Sequence, residues 1–192
     1  KPHRHRFARP LPELILRADS SSESDVIRAV DIVEKKLGYV NILINNAAYS
    51  SFSLLTDLTL EEWERTMNVS VTAAFLYSKR VIRGMVNKKC GRIINISSMW
   101  GIVGASCEVH YSAAKAGMRG MTMALAKELG PSGITVNCIE PGVIRTDMNS
   151  HLTEEDIAAL CEETPLGRTG TPEEVALCEE SYTGKYLKSV LK

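Results

Sequence analysis

Residues 92 to 97 read RIINIS, an apolar, isoleucine-rich run that ends in the small hydroxyls of Ser97 and Ser98. Its apolar residues do not alternate strictly with polar ones, so both faces are expected to be covered, as in a parallel sheet. Three other runs share this character: LILRA (14 to 18), VNILIN (40 to 45) and ITVNCI (134 to 139). Helical patterns lie between them. Residues 23 to 37 carry Val26, Ile27, Val30, Val33 and Leu37 at helical spacing. The segments at 59 to 86 and 109 to 129 are longer, and the last runs into GPSG, a helix stop. Strand alternating with helix predicts an α/β fold whose parallel strands are joined by right-handed crossovers. All the carboxyl ends then share one edge, where ligands bind in open sheets. Each predicted strand ends there in small or polar residues: Asp19 and Ser20, Asn45 to Ala48, Ser97 and Ser98, Pro141 and Gly142.

Composition narrows the function. A chain of 192 residues with 44% hydrophobic content suits one domain with a sizeable core. Basic and acidic residues balance at 23 each, which gives no reason to expect nucleic acid or an anionic membrane as partner and favours a small molecule. The five cysteines are scattered and lack C-x-x-C spacing, so no metal site is expected, and free thiols in a reducing cytoplasm are. No apolar run approaches the roughly 20 residues that span a bilayer. The start, KPHRHRFARP, has charge but no apolar stretch after it, so secretion is not expected.

The stretch VHYSAAKAGM (109 to 118) puts Tyr111 and Lys115 one helical turn apart, on the same face. A phenol titrates near pH 10 and is a poor acid at neutrality. A cation about 4 Å away, at an effective dielectric of about 20, contributes roughly 4 kcal/mol, which would lower the phenol by about 3 pKa units and bring it into the range of proton transfer. The spacing alone arises by chance about one time in three in a chain of this composition. Position strengthens it, since Ser98 ends a predicted strand 13 residues before Tyr111 and Pro141-Gly142 ends the next.

Taken in order, NNAA (45 to 48), Asn68 in TMNVSVTAAF, RIINISS (92 to 98), YSAAK (111 to 115) and NCIEPGVIRTDM (137 to 148) resemble the short-chain dehydrogenase/reductase family, on its 3-oxoacyl-[acyl-carrier-protein] reductase side. The match covers about residues 14 to 175. The resemblance implies a Rossmann-like, doubly wound parallel sheet and an NAD(P)H-dependent reduction of a carbonyl to a secondary alcohol. It implies that Tyr111 is the general acid, Lys115 lowers its pKa and meets the nicotinamide ribose, Ser98 orients the carbonyl oxygen, and Asn68 holds a water linking Lys115 to solvent. Asn46, Ala47 and Ala48 are similar to the family's turn beside the adenine-side ribose, with Ala48 where the family has glycine, and Asp19 and Ser20 to its pair near the adenine. Pro141, Gly142, Val143 and Ile144 would offer backbone groups to the carboxamide, with Thr146 close by. The implied substrate is a small carbonyl or alcohol, carried on acyl carrier protein in the 3-oxoacyl case, and the implied assembly is a homodimer or homotetramer. NADP(H) is placed ahead of NAD(H), although the residues that separate them follow a strand outside the match. His110 is given no role, and the methionines of 118 to 123 are read as core or interface.

The sequence also departs from the family. No T-G-x-x-x-G-x-G turn occurs. Residues 1 to 13 read as an atypical tail, standing where roughly 40 residues of strand, helix and strand are usual. Residues 14 to 192 then form one incomplete domain, with the run at 14 to 18 as an orphan strand. The segment after 176 resembles the family only in YTG and lacks V-D-G-G. Two further functions therefore stand beside the reductase: an inert subunit that keeps only an oligomer surface, with helices 59 to 86 and 109 to 129 forming it, and a sugar or steroid alcohol dehydrogenase with the same catalytic residues. Lys88, Lys89 and Arg92 form a basic cluster that would suit an acidic carrier protein, or simply a solvated loop.

Overall fold

The computed structural model describes residues 14–146, Asn149 and 152–177. It divides into two compact units, Leu14–Pro141 and a second that starts at Gly142. The first unit holds α1 (Glu23–Leu37), β1 (Ile42–Asn45), α2 (Leu60–Met67), a π turn (Asn68–Thr72), α3 (Ala73–Lys88), β2 (Gly91–Ile96), α4 (Trp100–Val103), α5 (Val109–Leu129) and β3 (Ile134–Ile139). The three strands form one parallel sheet in the order β1-β2-β3, with Asn45 opposite Asn95 and Asn95 opposite Cys138. The expected α/β class with a parallel sheet is what forms.

Local chemistry accounts for the helix ends. Ser22 caps α1 by accepting the Asp25 N–H, with Glu23 and Asp25 in the first turn and Lys35 and Lys36 in the last, matching the helix dipole. Thr59 and Glu62 form a reciprocal capping box at the start of α2. The long helix expected over 59 to 86 is interrupted by the π turn, which carries the β-branched Val69, Val71 and Thr72, residues of lowered helix propensity. After α5 the chain reverses at Gly133, whose φ of 77° is open to glycine; a Cβ there would lie 2.9 Å from the Lys89 carbonyl oxygen.

The core lies between one sheet face and helices α1, α3 and α5: Ile93, Ile134 and Val136 pack with Val26, Val30, Leu76, Val81, Met85 and Leu129. The opposite face carries Ile42 and Ile44, 54% and 58% exposed, so the expectation of strands covered on both faces holds for one side of this unit only. One expectation is corrected. Residues 14 to 19 have no regular structure, and Ile15 is 74% exposed. An apolar run becomes a strand only when another strand pairs with it, and none does so here among the described residues.

In the second unit a parallel bridge joins Ile144 to Gly170, with Arg145 N–H donating to Gly170 O and Gly170 N–H to Val143 O, both at 2.9 Å. Helices α6 (Glu154–Glu163), with its own Thr153–Asp156 capping box, and α7 (Pro172–Leu177) follow. The departures noted at residues 1 to 13 and after 177 lie outside the described residues.

Candidate active site

The carboxyl end of β2 is built of polar groups that the fold keeps dry. Asn95 is fully buried and accepts from Asn45 Nδ2 (2.8 Å) while donating to Thr122 Oγ1 (2.8 Å), whose hydroxyl donates to Met118 O (2.8 Å). This chain ties β1, β2 and α5 together, so that the strand ends and the helix keep one register. Ser97 Oγ donates to the Lys115 carbonyl (2.8 Å), and Ser97 N–H to Ile139 O. Met99 N–H donates to Pro141 O (3.0 Å), fixing the turn that follows.

Ser98 and Tyr111 meet. The Ser98 side chain lies close enough to the Tyr111 phenol to act on its acidity, and its Oγ accepts the Trp100 N–H at 3.2 Å. Lys115 is 2% exposed, donates from Nζ to Ile96 O at 2.7 Å, and places the ammonium 5.4 Å from the centroid of the Tyr111 ring. Gly101 allows this arrangement, because a Cβ there would sit 2.7 Å from the Lys115 carbonyl carbon.

The electrostatics differ from the expectation that Lys115 acidifies the phenol. Burial raises the Tyr111 pKa, the neighbouring Ser98 side chain pulls it back, and the Glu108 charge raises it further. Lys115 itself is lowered from 10.5 to about 8, chiefly by burial. Both groups are withdrawn from water together, and desolvation, which disfavours phenolate and ammonium alike, is the largest cause of both shifts. The result is a phenol held protonated at neutral pH.

Farther along the same edge, Ser20, Asn45, Asn46, Ala47, Val69 and Ser70 line part of a cavity of about 230 Å³. Ser70 is 1% exposed, and its Oγ has no hydrogen-bond partner among the described residues. An unpaired buried hydroxyl against a hollow is what a polar ligand of this size would satisfy, so the residues fit the adenosine side of a dinucleotide. Ala48 is half-buried in the loop beyond the cavity. Asp19 is exposed, and its carboxylate accepts from Ser21 N and Oγ, which holds its pKa below the usual carboxylate range.

Other expected residues lie on other elements. Asn68 is exposed at the start of the π turn, with Oδ1 accepting from Thr72 Oγ1 at 3.2 Å. Gly142, Val143, Ile144 and Thr146 belong to the second unit, where the Val143 and Ile144 carbonyls accept from Gly170 N–H and Asn149 Nδ2. Lys88, Lys89 and Arg92 cluster at the amino end of β2, the edge opposite the candidate site. Sequence reasoning missed Asn95, Thr122 and Ser70, whose burial no local pattern announces. Among the described residues no group of three or more His, Cys, Asp or Glu could hold a metal, and no helix is long and apolar enough to cross a membrane.

With this geometry in place, comparison with known proteins is direct. A family model described as short chain dehydrogenase matches residues 10–157. The 3-oxoacyl-[acyl-carrier-protein] reductases of Aquifex aeolicus and Pseudomonas aeruginosa are 40% identical over 164 residues and 41% over 158, covering 83% and 82% of this chain. The chain spans 66% and 64% of the length of those relatives. A solved structure, a candidate gluconate dehydrogenase from Agrobacterium tumefaciens, matches with a TM-score of 0.79 at 32% identity, covering 82% of this chain and 63% of that one.

Proposed function

We propose a function from one established premise: this chain belongs to the short-chain dehydrogenase family. The proposed activity is reduction of a carbonyl to a secondary alcohol, with a 3-oxoacyl thioester on acyl carrier protein as substrate and NADP(H), ahead of NAD(H), as cofactor. One observation carries it. The Ser98 side chain lies beside the Tyr111 phenol at the carboxyl end of β2, with the buried Lys115 ammonium 5.4 Å from the Tyr111 ring centroid.

In this reading Ser98 donates a hydrogen bond to the substrate carbonyl oxygen and orients it. Tyr111, kept protonated by burial, gives its proton to that same oxygen. Lys115, still mostly charged at pH 7 with a pKa of about 8, balances the tyrosinate left behind. Asn68, exposed to solvent, holds the water through which the proton is replaced. The nicotinamide, when bound, supplies the hydride. Asp19, Ser20, Asn46, Ala47 and Ala48 hold the adenosine side, while Pro141, Gly142, Val143, Ile144 and Thr146 serve the carboxamide. A homodimer or homotetramer in a reducing cytoplasm completes the proposal.

A second reading, oxidation of a sugar-type alcohol, draws on the structural likeness to the candidate gluconate dehydrogenase. The two separate in one experiment: titrate the chain with NADPH and NADH by fluorescence, then offer a 3-oxoacyl thioester or, with the oxidised cofactor, gluconate. Binding of NADPH and its consumption with the thioester is the expected result. Turnover on gluconate alone favours the second reading, and an intact oligomer that binds neither cofactor is the inert subunit.

A further inference from the structure

His110, next to Tyr111 in sequence, is fully buried yet takes no part in the proton transfer just described. Its Nε2 accepts the backbone N–H of Ser51 at 3.3 Å and lies 3.1 Å from the Ser51 hydroxyl. An imidazole nitrogen that accepts an amide proton does so through its lone pair, which leaves Nδ1 as the ring's donor. Nδ1 has no hydrogen-bond partner among the described residues. A buried donor left unpaired is a cost of roughly 1–3 kcal/mol that a purely space-filling side chain would avoid.

The contact is one of three along a short seam. Ser50 Oγ donates to Glu108 Oε1 at 2.7 Å, and Ser53 N–H donates to the Cys107 carbonyl at 2.9 Å. Cys107 holds φ at 61°, a left-handed conformation that a residue with a side chain adopts only when its surroundings enforce it. The Glu62 carboxylate, in the first turn of α2, lies near enough to Ser51 and His110 to feel both, so it borders the same seam. Residues 50 to 53 are thus stitched to residues 107 to 110, the turn that delivers Tyr111. Only two residues, Ala48 and Tyr49, separate this seam from Asn46 and Ala47 in the cavity wall.

We propose that His110 is a positioning residue: its Nε2 fastens the loop after β1 to the first turn of α5, and so couples the Tyr111 phenol to the cavity wall at Asn46 and Ala47. The roles of Tyr111 and of the cavity rest on the function proposed above, but the fastening itself does not. Release of the loop admits water to the phenol, relieving the burial that raises its pKa, and slackens the wall that the cofactor meets.

The test follows the Tyr111 ring carbon signal by NMR against pH, assigned by its loss in Tyr111→Phe, beside NADPH affinity by fluorescence and the thermal midpoint. Gln places an amide oxygen near the position of Nε2, whereas Asn is too short to reach Ser51 and Phe offers no acceptor. His110→Phe and His110→Asn are expected to lower the Tyr111 midpoint by about half to one pH unit and weaken NADPH about three- to tenfold, with His110→Gln restoring both. If His110→Phe does not fold, the Asn and Gln pair carries the same comparison. A thermal midpoint that falls in every variant while the Tyr111 midpoint stays unmoved overturns the proposal. A wild-type chain that binds no NADPH, yet shows the Tyr111 shift in His110→Asn and its rescue in His110→Gln, refutes the proposed function and upholds the fastening of Tyr111.

Discussion

The two ends of β2 are made of similar material and treated oppositely. At the amino end Arg92 is exposed beside Lys88 and Lys89, and its guanidinium donates to the neighbouring Gly91 carbonyl. Three to six residues on, Asn95, Ser97, Ser98 and the Lys115 that meets them are all nine-tenths or more buried and hydrogen-bonded. Water solvates polar groups at one end at no structural cost. At the other the protein replaces water with fixed partners, which is expensive unless every partner is present. That asymmetry, more than the identity of any one residue, marks the carboxyl edge as the working edge.

The sharpest way to break the comparison is to remove a partner from the dry end. Asn95→Leu leaves Asn45 Nδ2 and the Thr122 hydroxyl without Asn95, and a loss of about 3 kcal/mol of stability is expected in urea unfolding. An unfolding midpoint that does not move would mean the buried chain is slack.

Lys115 sharpens it through pH. Burial lowers its pKa in the folded state from 10.5 to about 8, so below pH 8 the folded protein carries a desolvated ammonium and bears the full penalty. Between about 8 and 10.5 the unfolded chain binds the proton more tightly, and stability rises with pH across that window. Lys115→Met is expected to abolish a rise of about 2 kcal/mol, read as the difference between the two proteins' urea midpoints at pH 7.5 and 10.

Gly101→Ala pushes α4 away from the Lys115 backbone, and about 1–2 kcal/mol of destabilisation is expected from thermal unfolding. At the wet end Arg92→Ala should change stability by no more than about 0.5 kcal/mol. A larger loss there would erase the contrast.

Much of this was legible in sequence where local rules and tertiary context agree. The spacing of Val26, Val30 and Val33 and the stop at GPSG predict helices over 23 to 37 and 109 to 129, and α1 and α5 occupy those residues. ITVNCI forms β3 without adjustment. LILRA is likewise a short, mainly apolar run but has no pairing partner among the described residues, which its own sequence cannot reveal. The pairing of Ser98 with Tyr111 follows from a strand end and a helix turn, both local features. The sign of the Tyr111 shift does not, because spacing counts the charge of Lys115 but not the water removed from both groups. Ser70 and His110 escaped for a related reason: their importance lies in what surrounds them, residues distant in the chain.

The central claim is that the Tyr111 phenol delivers the proton. It is tested most directly by comparing the wild-type chain with Tyr111→Phe for consumption of NADPH on a 3-oxoacyl thioester, with NADPH affinity measured alongside. The claim predicts a loss of about 10³-fold in rate with affinity within about twofold of wild type. A Phe variant that turns over at the wild-type rate would contradict it.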